Sequence, residues 1–406
     1  SCTRMSAAAP TSRTTDHREP SVLAIMAPPR TRDNPLTRSL AGILGIAVLA
    51  VIAAACLLTL PWTLGASNSS GVPIPRYNAG EIANARTPPS FVHAWWGGDR
   101  HPEPPRVADP PGSGAAADAK ESFLLGSDAL GRSLFIRLLA GGGVSLAIGL
   151  AAAFLSVVIG TAYGTISGFI GGRVDAVMMR IVDILYGLPY VLLVVLLAVA
   201  ADSVLAEYIS REGARAAWIA EKIAERGGTT PPDAAAKATL ESQALAAIPP
   251  RQISPTGRTI LDLGVLLIAI GGVSWLTMAR VIRGQVLSLK QLPFVESARA
   301  IGASRRRIIF VHLLPNLVGP ITVYAALTVP QAILQESFLS FLGIGVKPPL
   351  PSWGNLAAEG LPELNPFQSH WWLLLFPCLA LGITLLALNF VGEGIREALD
   401  PKRARA

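Results

Sequence analysis

Six stretches of apolar sequence, each about the length that crosses a lipid bilayer, decide what this chain can become. They run from about Leu40 to Leu60, Val144 to Ile170, Met178 to Ala201, Ile260 to Ile282, Leu317 to Leu342 and Trp372 to Val391. A hydrocarbon core roughly 30 Å thick takes about 20 helical residues to cross. Lipid offers no hydrogen bonds, so a spanning segment must satisfy its backbone internally, and a helix does this. Only 15% of the 406 residues are charged and 51% are hydrophobic, whereas about a quarter are charged in soluble domains. The expected class is all-α: a polytopic membrane protein with six transmembrane helices.

Charge sets the orientation. Basic residues cluster before the first span (Arg4, Arg13, Arg18, Arg30, Arg32, Arg38), between the fourth and fifth (Arg280, Arg283, Lys290, Arg299, Arg305, Arg306, Arg307), and after the sixth (Arg396, Lys402, Arg403, Arg405). The loop between the fifth and sixth holds Lys347 alone among lysines and arginines. Cytoplasmic loops carry the excess of Lys and Arg, so both termini are expected in the cytoplasm. The formal net charge of +7 is then a matter of topology and anionic membrane lipid, not of nucleic acid. Cys2, Cys56 and Cys378 lack metal-ligand spacing and form no disulfide framework. The five histidines are scattered. No cofactor or metal is expected on this chain.

The segments divide accordingly. Residues 1–38, rich in Ser, Thr, Arg and Pro, are expected to be a disordered basic cytoplasmic terminus. No apolar stretch with a cleavage site follows those arginines directly, so a secretory signal is not expected; Met5 and Met26 both stand as candidate starts. Residues 39–60 form the first span, ended by Pro61-Trp62, and 61–122 an irregular Pro/Gly-rich periplasmic loop. The main transmembrane domain is 123–401, interrupted by a periplasmic helical insertion at 202–258, and 402–406 is a basic tail. In the insertion, Val204, Leu205, Tyr208, Ala216, Ile219 and Ile223 recur at helical spacing, Gly227-Gly228 breaks the pattern, and a second helix is expected from Pro232 to Ala247. An amphipathic hairpin resting on the outer face is the plain reading; an added contact for an external partner is the sharper one.

Within the spans, Gly160, Gly164, Gly168 and Gly172 recur every four residues and predict a flat face that admits a neighbouring helix. Gly171–Asp175 reads as a short inner turn. Pro189 predicts a bend in span three, and Asp183 is expected to pair with Arg180 one turn earlier. Glu336 is an ionisable group at membrane depth, which faces a bundle interior or a watery path; a structural hydrogen bond is weighed slightly ahead of a place on the translocation path. Between spans four and five, residues 292–316 read as two short helices joined by a turn. Pro293 suits a first helical turn, Gly302 a left-handed residue just past the helix end, and Ser304 the cap of the next helix. Pro315 predicts a kink or break.

This last segment carries a resemblance. Glu296-x-Ala298-x-x-x-Gly302 followed by Leu314-Pro315 resembles the cytoplasmic EAA loop of ABC importer permeases, with Ser297 in place of the second residue of that triplet. The ending His312-Leu313-Leu314-Pro315-Asn316 is similar to that of the dipeptide/oligopeptide/nickel branch. So are Leu125-Gly126-Ser127-Asp128-Ala129-Leu130-Gly131-Arg132-Ser133 before span two, the run from Glu336 to Gly343, and Pro348–Asn355 in the outer loop. The likeness covers roughly 123–201 and 259–401. It implies a type I ABC importer permease fold that pairs with a homologous second permease, two ABC ATPase subunits and a periplasmic or lipid-anchored substrate-binding protein. It further implies that Glu296, Ala298, Arg299, Gly302, Ala303, Leu314 and Pro315 couple the chain to the ATPase: Glu296 by bonding a basic group there, Ala298 by permitting close approach, Gly302 by allowing the turn. Asp128, Gly131 and Arg132 carry the periplasmic motif. The implied cargo is a di- or oligopeptide, with nickel or another small solute as the alternative. A non-transporting structural subunit is the alternative of another class.

The chain has no phosphate-binding loop of its own, because no Lys is followed by Ser or Thr. Any ATP is expected on partner subunits, and the chain is not expected to be an enzyme. It also lacks H-E-x-x-H, the helix signature of a zinc protease.

Overall fold

The computed structural model describes residues 40–67, 73–92, 123–225, 234–366 and 368–399. The basic terminus 1–38, the tail 402–406 and the Gly227-Gly228 break lie outside the described residues. Among the described residues the protein is all-α apart from a two-residue antiparallel pairing, β1 (Ala66–Ser67) with β2 (Ile74–Pro75). Six of its described helices are long and apolar enough to cross a membrane.

Span one is α1 (Leu40–Leu64), which continues through Pro61 instead of stopping there. At the end beyond the proline, the Thr63 hydroxyl donates to Leu60 O at 3.1 Å and the Arg76 guanidinium to Trp62 O at 3.1 Å. Span two is α2 (Leu134–Ile170), 37 residues long and starting ten residues before the apolar run suggests. It is the central helix: 56% of its spanning window is buried, against 11–33% for the other five. Small residues make this possible. Gly160 and Gly164 face Met278 and Ala279, and Gly168 faces Arg283 and Val286, so the glycine stripe seats α2 on span four. Gly172 is not part of the stripe; it lies past the helix end at φ +58° with nothing near it.

Span three differs most from expectation. It is two helices, α3 (Gly172–Tyr186) and α4 (Tyr190–Ser210), separated at Gly187-Leu188-Pro189. Only α4 is a candidate span. The expected inner turn shrinks to Gly171, and α3 runs back antiparallel beside the end of α2, where the Tyr163 hydroxyl donates to Met178 O at 2.8 Å. Asp183 bonds Arg280 of span four at 2.7 Å, not Arg180, because the inner side of α3 faces that helix.

The insertion forms α5 (Glu212–Glu225) and α6 (Ala234–Ala247), packed on each other. Where it rejoins the bundle, the Arg251 N–H bonds Ile209 O at 2.9 Å and its guanidinium stacks 3.7 Å over Tyr208. Span four is α7 (Pro255–Leu289), capped by Ser254 and extending two turns further inward than the apolar run. A short helix, α8 (Pro293–Ala300), follows. Span five is α9 (Arg305–Phe341), so the second half of the 292–316 segment is no separate helix but the inner end of a 37-residue one. The outer loop contains α10 (Trp353–Gly360), held by a reciprocal capping box between Ser352 and Asn355. Span six, α11 (Trp372–Leu399), ends the described chain.

Candidate coupling site

The polar knuckle between α7 and α9 is built from local rules. Pro293 occupies the first turn of α8, where a missing N–H costs nothing. The helix ends in a Schellman arrangement: the Gly302 N–H bonds Arg299 O and the Ala303 N–H bonds Ala298 O, each at 3.0 Å. Gly302 has φ +85° with no atom near its missing Cβ, so backbone conformation, not space, requires glycine here. Ser304 then caps α9 by accepting from the Arg307 N–H at 3.3 Å. Residues Ile308–Leu313 widen into a π turn ahead of Pro315, and Asn316 Nδ2 takes His312 O at 2.7 Å. Pro315 does not break the helix; it follows directly on the π turn, in the first turn of the regular stretch that starts at Leu314.

One face of the knuckle is core and the other is free. Val295 and Ala298, three apart on α8, are buried among Ile282, Val286, Ile308, Leu313 and Leu317. Ala298 thus lets α8 approach α7 and α9 of its own chain closely. Ala303 packs on the same cluster, Leu314 is half-buried and Pro315 exposed. Outward stand Glu296, Arg299, Arg305, Arg306 and Arg307, with Ile301 86% exposed at the tip and Phe294 exposed at the other end of α8, its ring 6.5 Å from that of His312. A rigid two-turn helix with an apolar tip and charged flanks is suited to insertion into a complementary groove.

The knuckle is tied to the rest of the inner face. Lys290 Nζ reaches Gly168 O at 2.9 Å, a cation on the carbonyl end of α2, and the Arg299 guanidinium lies 5.8 Å over the Phe169 ring. Arg283 grips Asp175 with both arms, Nε to Oδ1 at 2.5 Å and Nη2 to Oδ2 at 2.6 Å, while the Ser167 hydroxyl donates to the same carboxylate at 2.5 Å. The Arg283 hydrogen bonds, helped by Ser167 and Lys290, hold the Asp175 carboxyl below its usual range. The stabilisation is therefore present at neutral pH and lost only as pH falls through that lowered value.

At the other end of the bundle, Asp128 is 5% exposed and serves as a hub. Its Oδ1 accepts from the Leu130 and Arg132 N–H groups at 2.9 Å, and its Oδ2 from Arg132 Nε and Arg137 Nη1 at 2.7 Å. Gly131 has φ +71°, and a Cβ there would strike the Glu81 carbonyl. Arg132 also bonds Asn78 at 3.0 Å, so the motif fastens the 73–92 segment to the start of α2. Arg137, 2% exposed, bridges on to Glu359 of α10 at 2.5 and 3.0 Å. A cavity of about 320 Å³ opens beside this network. Arg86 forks onto Glu363 at 2.8 Å on both arms and keeps that carboxyl below its usual range.

Glu336 is fully buried. It accepts from Ser340 at 2.8 Å and Ser337 at 3.2 Å, both on its own helix α9. The Ser340 hydroxyl accepts in turn from the Val346 N–H at 3.0 Å, which ties the carboxyl to the start of the following loop. Sequence reading missed Arg137, Glu359, Asp175 and Arg283. The one visible sign was an arginine in the first turn of an otherwise apolar span.

Residues 157–405 match the family described as the binding-protein-dependent transport system inner membrane component. The chain belongs to that family. It is 39% identical over 289 residues to the oligopeptide transport system permease protein OppC of Haemophilus influenzae, covering 71% of this chain and 73% of the relative. It is 37% identical to the dipeptide transport system permease protein DppC of Bacillus subtilis, covering 69% of each. It is 39% identical to OppC of Escherichia coli, covering 71% of this chain and 75% of that one. The protein is thus a multi-pass membrane permease component, and the matched stretch contains the entire α7–α8–α9 knuckle.

Proposed function

We propose that the chain is one of two permease subunits of an ATP-driven importer of di- or oligopeptides, driven through the knuckle at 292–316. Two ATPase subunits bind and hydrolyse the ATP, a homologous permease completes the path, and an extracytoplasmic binding protein delivers the peptide. The termini and the knuckle lie in the cytoplasm, as the arginine distribution favours. The peptide assignment is supported by the relatives' names, which are oligopeptide and dipeptide permeases.

The observation that carries the reading is the two-sided geometry of α8. Val295 and Ala298 anchor it to the ends of two spans, while Glu296, Arg299 and Ile301 project from it. A displacement imposed on the projecting face moves α7 and α9 as levers, which shifts the population between discrete packings of the bundle. Gly302→Asp tests this. The substitution strains the left-handed turn and adds charge at the tip, so membrane insertion should persist while ATP-dependent peptide uptake falls at least tenfold. Uptake at the unaltered rate, with the variant incorporated normally, would refute the lever role.

A further inference from the structure

Helix α3 has the features of a separate moving part. Its junction with α4 at Gly187-Leu188-Pro189 lacks a helical hydrogen-bond ladder, since Pro189 has no N–H and the Leu188 N–H reaches back only to Leu185 O. Its outer side, Val174, Val177, Ile181, Ile184 and Leu188, is exposed. Its inner side buries little beyond Asp175 and Val182. Polar grips on α7 hold it in addition: the two-armed Asp175–Arg283 pair, with Ser167 of α2 sharing the carboxylate, and the more exposed Asp183–Arg280 pair. Arg280 also lies 4.0 Å over the Tyr186 ring, at the last residue of α3.

Both arginines stand on the last turns of the helix that becomes the knuckle: Arg283 is six residues from Leu289, the end of α7. Spacing of three residues puts Arg280 and Arg283 on one side of α7. A rotation or shift of α7 is therefore handed directly to α3 at two points along its length, while the break at 187–189 lets α3 follow without dragging α4. The two grips differ in strength. The Asp175 carboxylate is largely sheltered and accepts three hydrogen bonds, whereas both partners of Asp183–Arg280 are more than a third exposed, where ion pairs hold weakly.

We propose that Asp175 and Arg283 are positioning residues of the transport cycle: they form the joint through which movement of the knuckle and α7 swings the inner half of span three about Gly187–Pro189. This rests on the lever reading above. Loss of the joint disconnects α3 from the stroke, so hydrolysis continues without its share of transport.

The test uses the complex purified through this chain, reconstituted in proteoliposomes with a labelled peptide that the unaltered complex takes up. Peptide imported per ATP hydrolysed is measured. Asp175→Asn should lower that ratio at least fivefold while binding-protein-stimulated hydrolysis stays within twofold, and the exchanged pair Asp175→Arg with Arg283→Asp should recover much of it. Asp175→Glu keeps the charge but lengthens the joint, and should lower the ratio about twofold even if the Asn variant fails to assemble. An unchanged ratio in Asp175→Glu, or hydrolysis and uptake falling in proportion in any assembled variant, overturns the joint. Failure of the lever reading looks different: the unaltered complex would then show no link between hydrolysis and uptake.

Discussion

At the scale of single residues, the buried polar groups of this bundle act as fasteners between elements far apart in the chain. Glu336 fastens a shorter stretch, the end of α9. Two serine hydroxyls, Ser337 and Ser340, donate to one buried carboxyl, and Ser340 accepts in turn from the Val346 N–H, so removing it strands both donors at once. An unmade buried hydrogen bond costs about 1–3 kcal/mol. Glu336→Ala should therefore destabilise the detergent-solubilised protein by more than about 2 kcal/mol, read as a drop in thermal midpoint. Glu336→Gln, which keeps the shape and one carbonyl acceptor, should lose less than half as much. Equal losses would mean that the site is a matter of volume alone. The acid is visible in the sequence as an oddity inside an apolar run, and its partners lie one and four positions on, within reach of a local reading. A linear pattern carries no such trace for Asp175 with Arg283, 108 residues apart, or for Arg137 with Glu359, 222 apart.

At the scale of elements, what could be read followed from local chemistry. The turn at Gly302, the start at Pro293 and the cap at Ser304 stand as the residue types require, because each is decided within four or five positions. Continuity was where the reading failed. The apolar run through 178–201 hides the break at 187–189, since lipid-facing residues are apolar whether the helix is one piece or two. Conversely, the prolines at 61 and 315 suggest ends where the helices continue, Pro61 inside α1 and Pro315 directly after a π turn. The short α10 was taken for loop among prolines, although Ser352 and Asn355 carried the capping signal. Glycines divide in the same way by what faces them. At Gly164 an added methyl would press on the Ala279 carbonyl and the α7 backbone; at Gly284, on α7 itself, nothing lies within 4 Å. Gly164→Ala should cost about 1–3 kcal/mol through overpacking. Gly284→Ala should be neutral or gain up to about 1 kcal/mol through helix propensity. Denaturation of the isolated subunit would rank the two, and the reverse order would mean that α2 does not seat on α7 as described.

At the scale of the whole molecule, the two ends of the bundle are built differently. The end away from the knuckle is cross-linked by charge: Asp128, Arg132, Arg137 and Glu359 tie α2, the 73–92 segment and α10 together, and Arg86 adds Glu363. The end that bears the knuckle is, on the reading proposed above, articulated, with α3 hung from ion pairs. Such an arrangement confines bending to the side where the knuckle lies. Six apolar helices and the turn chemistry of 292–316 are legible in the sequence because membrane thickness and turn residues are both short-range constraints; the charge network at the far end is not, because it depends on long-range pairing.

The clamp at the root of the insertion has a practical meaning. Since Arg251 bonds Ile209 and covers Tyr208, the excursion departs and returns through a single doorway. Residues 212–250 should then be excisable as a cassette, bridged by a short Gly-Ser linker, with spans three and four keeping their register. Circular dichroism and thermal stability within about 1 kcal/mol of the intact chain would bear this out, and aggregation on expression would count against it. The same doorway is a natural place to graft a reporter domain onto this permease without disturbing the helices that cross the membrane.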